Sequence, residues 1–317
     1  MIVALAGGVG GARLAVGLAQ VLSARELTIV VNTADDFEHF GLNVCPDLDT
    51  VVYTLAGKNN PSTGWGRARE TWSCMQTLAE LGGPTWFNLG DRDLGVNLMR
   101  TDALARGERL SQVTARFARA LGIRHCILPM SDTPVRTRVL TAQGELPFQD
   151  YFVRLRCKPR VRGFRFAGAR GARVPERLRA LIASAKVRAV VICPSNPYVS
   201  VAPILSVPAI RKWLAQRRFP IVAVSPIVGG AAIKGPAAKM MRELGAPVSA
   251  LGVARHYGDL VDGWVIDRAD EALRSPIEAL GCAVTVIDTI MRNRAGSRRL
   301  ARDVVAFART LTESRAR

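Results

Sequence analysis

Apolar residues fall along this chain in short unbroken runs separated by stretches of helical length. The first run, Ile2–Ala6, ends at Gly7-Gly8-Val9-Gly10-Gly11, after which Leu14, Leu18 and Leu22 recur at helical spacing. A second run, Leu27–Val31, stops at Asn32-Thr33. Further runs at 85–89, 125–128, 189–193 and 220–224 each lead into a polar turn, and each is expected to be a strand. Runs without alternation suit parallel strands covered on both faces. The pattern therefore predicts an α/β fold, a doubly wound and mainly parallel Rossmann-like sheet. Residues 135–166 instead alternate around a turn at Gly144. They predict an inserted smaller subdomain, β-rich and helical, over 135–186, between core segments 1–134 and 187–317.

Composition narrows the class. With 317 residues, 49% apolar and 22% charged, the chain is globular and able to bury a large core. No apolar stretch reaches the roughly 18–20 residues of a membrane span, and the first residues show no charged leader. Six cysteines stand singly with no CxxC pair, which suits reduced thiols and a cytoplasmic location. The net charge of +18 raises nucleic-acid binding, since residues 154–188 hold twelve Lys or Arg against one acid, Glu176. Those bases alternate with apolar residues and glycines, and no nucleic-acid-binding signature accompanies them. An exposed basic face that favours small polyanionic substrates is the expectation, with no nucleic-acid or membrane partner.

Candidate chemistry gathers where the runs end. Gly7, Gly8, Gly10 and Gly11 precede a helix, so backbone N–H groups and the positive helix end can meet a phosphate. The alternative is a tight structural turn. No GK[ST] follows, and no acid closes the second run, which argues against a Walker loop and a nicotinamide-dependent oxidoreductase. Asp35, Asp36, Asp47 and Asp49 lie within fifteen residues. Beside a phosphate they call for a cation, and Mg2+ takes one or two carboxylates plus waters and phosphates. Helix capping is the competing reading. Asp91, Arg92 and Asp93, Ser131 and Asp132, and Ser195 and Asn196 sit on turns at predicted strand ends, the rim where doubly wound sheets bind ligands. Lys234 and Lys239 can reach phosphate or be solvated, and Trp65 can stack on a flat ring.

Taken together, the series GGVGGARL, VNTADD, PDLDTVVYTLAG, GWGRARETW, LGDRDLG, LPMSDTPVRT, PSNPYVSVAPIL, SPIVGGAAIKGPAAKMM and GVARHYGDLVDGWVID resembles the 2-phospho-L-lactate transferase family, in order over residues 1–290. The resemblance implies an enzyme of coenzyme F-420 biosynthesis. Such an enzyme passes a phospho-hydroxyacid unit from its guanosine diphosphate-activated form to the hydroxyl of a deazariboflavin, with magnesium, and releases GMP. The phospho-acid is 2-phospholactate, phosphoenolpyruvate or 3-phosphoglycerate. A cytoplasmic homodimer is expected.

By the same resemblance, Gly7 to Gly11 hold the guanylyl phosphates and residues 194–197 hold guanosine, while Asp49 and Asn88 contact the deazaflavin. Asp35, Asp47 and Asp49 are the metal candidates. Asp35, Asp47, Asp49 and Arg92 are the catalytic ones, and Asp36 with Asp91 joins the substrate-binding set. Arg92 and Arg136 are expected charge clamps. Arg13 and Asn88 stand where some relatives carry Lys, and Thr133 where a second Asp is frequent. The runner-up is a non-catalytic nucleotide-sugar-binding regulator on the same glycine-loop fold.

Overall fold

The computed structural model describes residues 1–316. Seven strands form the central sheet: β1 (Ile2–Ala6), β2 (Leu27–Val31), β3 (Cys126–Pro129), β4 (Ala189–Ile192), β5 (Ile221–Val224), β6 (Gly263–Asp267) and β7 (Ala283–Ile287). Their order is β7-β6-β5-β4-β1-β2-β3, and every neighbouring pair is parallel. The chain winds outward from β1 through β2 and β3. It then returns to the other side of β1 and winds away again through β4 to β7. The reversal lies between β1 and β4, and a crevice opens over it.

The unbroken apolar runs follow from burial on both faces. Val3, Leu5, Val190 and Ile192 belong to one core cluster, and Ile2, Ala4, Ala6 and Val191 to another. Successive residues point to opposite faces of a strand, so both must be apolar when helices cover both faces. Four helices matter most for the site: α1 (Gly8–Val21), α2 (Pro46–Leu55), α3 (Asp91–Ala105) and α4 (Arg294–Ala316). Helices α1 and α4 approach so closely that a Cβ on Gly17 would collide with the Ser297 carbonyl.

The expected strand at 85–89 does not form. Trp86 and Phe87 lie in irregular chain outside the sheet and pack on the hairpin Phe37–His39/Leu42–Val44. Phe37 meets Phe87 edge-on at 4.7 Å, and His39 meets Trp86 at 5.3 Å. Aromatic residues that favour strands serve here as the wall of an aromatic cluster, while β3 takes the place beside β2. Between β3 and β4 the chain forms a three-stranded antiparallel sheet with Arg136–Thr141 at its centre, flanked by Gly144–Pro147 and Val161–Ala167. Its Val139 and Val161 share an apolar cluster with Val3 and Leu5, so it packs onto one face of the main sheet. The basic run faces outward there, with Arg162 and Arg165 exposed. Among the described residues no helix is long and apolar enough to cross a membrane.

Candidate functional site

A cavity of about 660 Å³ opens at the carboxyl ends of the strands, over the β1/β4 reversal. Its walls come from Gly7 to Gly10 and Arg13 after β1, Asp35 after β2, the first turns of α2, Trp86 to Leu89 with Asp93, Pro194 to Asn196 after β4, Ser225 and Pro226 with Ile233 to Ala237, and Thr289 to Arg292.

The glycines divide their work. Gly7 is extended, and its N–H donates to the Ser195 hydroxyl at 3.2 Å, while that hydroxyl donates to the Gly7 carbonyl at 2.8 Å. This exchange joins the loops of β1 and β4. A Cβ on Gly10 would strike the Pro194 carbonyl, and one on Gly11 would strike Ser195 Oγ and Ala6, so both glycines serve close packing. Gly8 alone needs left-handed backbone, at φ +61°. The N-cap Gly7 has no side chain to cap α1, so beyond the contact of its first turn with Asp47 the helix presents its positive end to the cavity. Asn196 also lines the cavity, and its carboxamide accepts from the N–H groups of Tyr198 and Val199 at 2.9 and 3.4 Å.

Four aspartates line this cavity: Asp35, Asp47, Asp49 and Asp93. The Asp35 carboxylate accepts the Thr137 hydroxyl at 3.1 Å. Asp47 accepts Asn32 Nδ2 at 3.0 Å, and the same amide nitrogen donates to the Val199 carbonyl at 3.2 Å. Asn32 closes β2, the position where dinucleotide folds carry a ribose-binding acid; here it anchors another acid instead. Burial pushes Asp47 up to about 6 and Asp35 well above the usual carboxylate range, with the charge of Asp47 adding to the latter. Asp47 also lies against the glycine turn, since a Cβ on Gly7 would stand 2.6 Å from its Oδ2.

Asp49 is held differently. It forms an ion pair with Arg100 of α3, whose guanidinium also donates to the Asn43 carbonyl at 3.0 Å and to Asn97 Oδ1 at 2.8 Å. Arg100 is 2% exposed and Asp49 7%. One turn beyond Asp49, Tyr53 donates its hydroxyl to Asp93 at 2.5 Å. Burial, then the charge of Asp49, pushes Asp93 up to about 6. Asn88 lines the same wall.

Besides Gly11, five predicted site residues lie outside the cavity. Asp91 holds the start of the helix Ser73–Glu80, accepting from the N–H groups of Ser73 and Cys74 and from the Thr71 hydroxyl. Arg92 is exposed, and its N–H donates to Glu70. The Ser131 hydroxyl bonds the Thr133 carbonyl, and Asp132 accepts from Ser111 at the start of the helix Leu110–Ala120. Asp36 is buried with Oδ1 unpartnered, and burial pushes it up to about 7. Arg136 does not line the cavity either; it donates to the Val135 carbonyl. Charged residues at strand ends thus satisfy local helix and turn groups here as often as they face the ligand space. Of the turn Gly90 to Asp93 only Asp93 reaches the cavity, while Asn32, Tyr53 and Arg100 carried no motif that marked them. The i, i+4 spacing of Asp49 and Tyr53 on one helix was the one available signal.

Among the described residues no three His, Cys, Asp or Glu side chains cluster closely enough to hold a metal by themselves. The Asp35–Asp47 pair nevertheless fits magnesium, which needs only one or two carboxylates when waters and phosphates complete its shell. Asp49, already neutralised by Arg100, fits less well.

A doubly wound parallel sheet with a glycine turn and a helix start at its reversal defines a Rossmann-like α/β protein with a cavity at the switch point. A solved upf0052-family protein from Bacillus halodurans shares this fold, with a TM-score of 0.64, 14% identity and coverage of 96% of this chain and 98% of that one. The family model for 2-phospho-L-lactate transferase CofD matches residues 2–305. A phosphoenolpyruvate transferase of Kitasatospora aureofaciens is 42% identical over 97% of both chains. A 2-phospho-L-lactate transferase of Methanosarcina mazei is 39% identical over 94% of this chain and 97% of its own. The chain belongs to the 2-phospho-L-lactate transferase CofD family and is a transferase.

Proposed function

We propose that this enzyme moves a phospho-hydroxyacid unit from its guanosine diphosphate-activated form to the hydroxyl of 7,8-didemethyl-8-hydroxy-5-deazariboflavin. GMP leaves, and coenzyme F-420-0 or an analogue forms. The phospho-acid is phosphoenolpyruvate, 2-phospholactate or 3-phosphoglycerate. The relatives cited at 42% and 39% identity carry the first two in their names, so phosphoenolpyruvate is the donor to try first.

One observation carries the reading. Buried Asp47 presses against the glycine turn at the positive end of α1, an end that suits a phosphate. A carboxylate and a phosphate so placed repel each other unless a cation stands between them. Asp35 and Asp47 would hold magnesium, which when bound neutralises diphosphate charge and lowers the cost of its build-up in the transition state. Asn32 fixes the Asp47 carboxylate toward the turn. Asp49, pushed up by burial and partly held back by its pairing with Arg100, orients the acceptor hydroxyl and takes its proton late, once the new P–O bond has made that hydroxyl acidic. Trp86, Phe87, Phe148 and Phe152 line the cavity and offer a flat tricycle an apolar wall.

The test supplies the purified enzyme with deazariboflavin, magnesium and the donor made from GTP and each phospho-acid by a guanylyltransferase. Mass spectrometry is expected to show a phosphodiester product, with GMP released one for one. No product from any of the three acids overturns the reading.

A further inference from the structure

The cavity's charge has two poles. Its acids, Asp35, Asp47, Asp49 and Asp93, belong to the β2 end, α2 and the start of α3. The basic side chains in its lining are Arg13, Lys234 and Arg292, which approach from α1 and from the loops that follow β5 and β7.

These three converge on the first turns of α1. Arg13 lies one turn beyond Val9 on the same helix face. A Cβ on Gly64 would stand 2.7 Å from Val9 Cγ1 and 3.3 Å from the Lys234 ammonium, which places that ammonium beside Val9. Arg13 donates to the Met291 carbonyl at 2.9 Å, directly next to Arg292. None of the three forms an ion pair with a carboxylate among the described residues. Lys234 spends its ammonium on the Thr63 carbonyl at 2.7 Å. Arg292 acts on Asp288 only at a distance, and Asp288 is itself paired with Arg299. Three cations without a carboxylate partner therefore stand beside the positive end of a 14-residue helix. Each of these features favours an anion, and together they favour a multiply charged one.

Resting on the functional reading above, we propose that Arg13, Lys234 and Arg292 are the clamp that takes up the charge of the departing nucleotide phosphate. In the transfer step the acceptor oxygen bonds to the distal phosphorus and the bridging P–O bond breaks. Its electron pair stays on GMP, whose phosphate gains one negative charge, and the acceptor proton passes to a carboxylate. Cations beside that phosphate stabilise the transition state more than the ground state. The sequence had offered Arg92 and Arg136 for this work, and neither lines the cavity.

Calorimetric titration of GMP and of guanosine tests the clamp, using wild type and the double variant Lys234→Met/Arg292→Met. Both side chains are exposed, so the fold tolerates their replacement. The variant is expected to bind GMP at least tenfold more weakly and guanosine within twofold of wild type. Its turnover is expected to fall at least tenfold with little change in KM for the deazaflavin, and Lys234→Arg/Arg292→Lys to recover most of the loss. Unchanged GMP affinity overturns the clamp, and so does equal weakening of GMP and guanosine, which would mark an altered pocket shape. A wild-type protein that binds neither ligand overturns the functional reading itself, and the clamp with it.

Discussion

Asp49 of α2 and Arg100 of α3 are joined in an ion pair shielded from solvent, and that pair ties the two helices along one wall of the cavity. Removing one partner leaves the other charge buried. Asp49→Asn is therefore expected to cost the fold on the order of 3–5 kcal/mol as well as activity. In urea denaturation, Asp49→Asn/Arg100→Met is expected to be more stable than Asp49→Asn alone. Additive losses would show that the two residues do not act as a pair.

Asp36 makes stability depend on pH. Burial pushes its carboxyl up to about 7 in the fold, against about 4 in an unfolded chain. The raised value means that the protonated form favours folding. That stability is complete below about pH 4 and lost as pH rises through 7, by up to roughly 4 kcal/mol. With chelator present, Asp36→Asn is expected to flatten the decline and to melt higher than wild type at pH 8, with little difference at pH 4. Parallel melting curves of the two proteins against pH would contradict this.

Chelation and Asp47 bear on one interaction. EDTA is expected to stop turnover and added magnesium to restore it. Asp47→Asn is expected to lower kcat by about 10²–10³-fold, a typical loss for one electrostatic contributor. It is also expected to raise the melting temperature in chelator, because a buried carboxylate near Asp35 is gone. Full activity in EDTA would refute the metal's part.

Gly10 offers a steric test. A Cβ there would collide with the Pro194 carbonyl, which is backbone and cannot rotate away. Gly10→Ala is expected to push the Pro194 to Asn196 loop off the helix and weaken GMP binding at least tenfold. Exposed Gly95, whose Cβ would meet nothing within 4 Å, is the control. Equal affinities for wild type and Gly10→Ala would show that the loop yields without consequence.

Much of the core was legible because burial on both faces leaves an unmistakable apolar run. Five of the seven strands were named that way. Strand β6 was not, since Gly263 and Asp267 interrupt its apolar character, nor was β7, half-exposed at the sheet edge. The 85–89 run misled because aromatic residues favour strands and cavity walls alike. Asp35, Asp47, Asp49 and the glycine turn were visible as motifs. Arg100 was not, for it meets Asp49 across 51 residues with no local period to announce the contact. Asp93 was visible in the turn with Asp91 and Arg92, but its bond with Tyr53 across 40 residues was not. Conversely, Asp91 and Asp132 looked like ligand groups because capping and ligation use the same side chain in the same place, where a backbone element ends.

The cavity walls are drawn from Gly7 to Arg292, nearly the whole span of the chain. The pocket therefore acts as a keystone, absent until distant segments have assembled and stabilising all of them once filled. A substrate at a hundred times its Kd adds about 2.7 kcal/mol to global stability. Amide protection would then be gained as far away as β6, which touches no ligand.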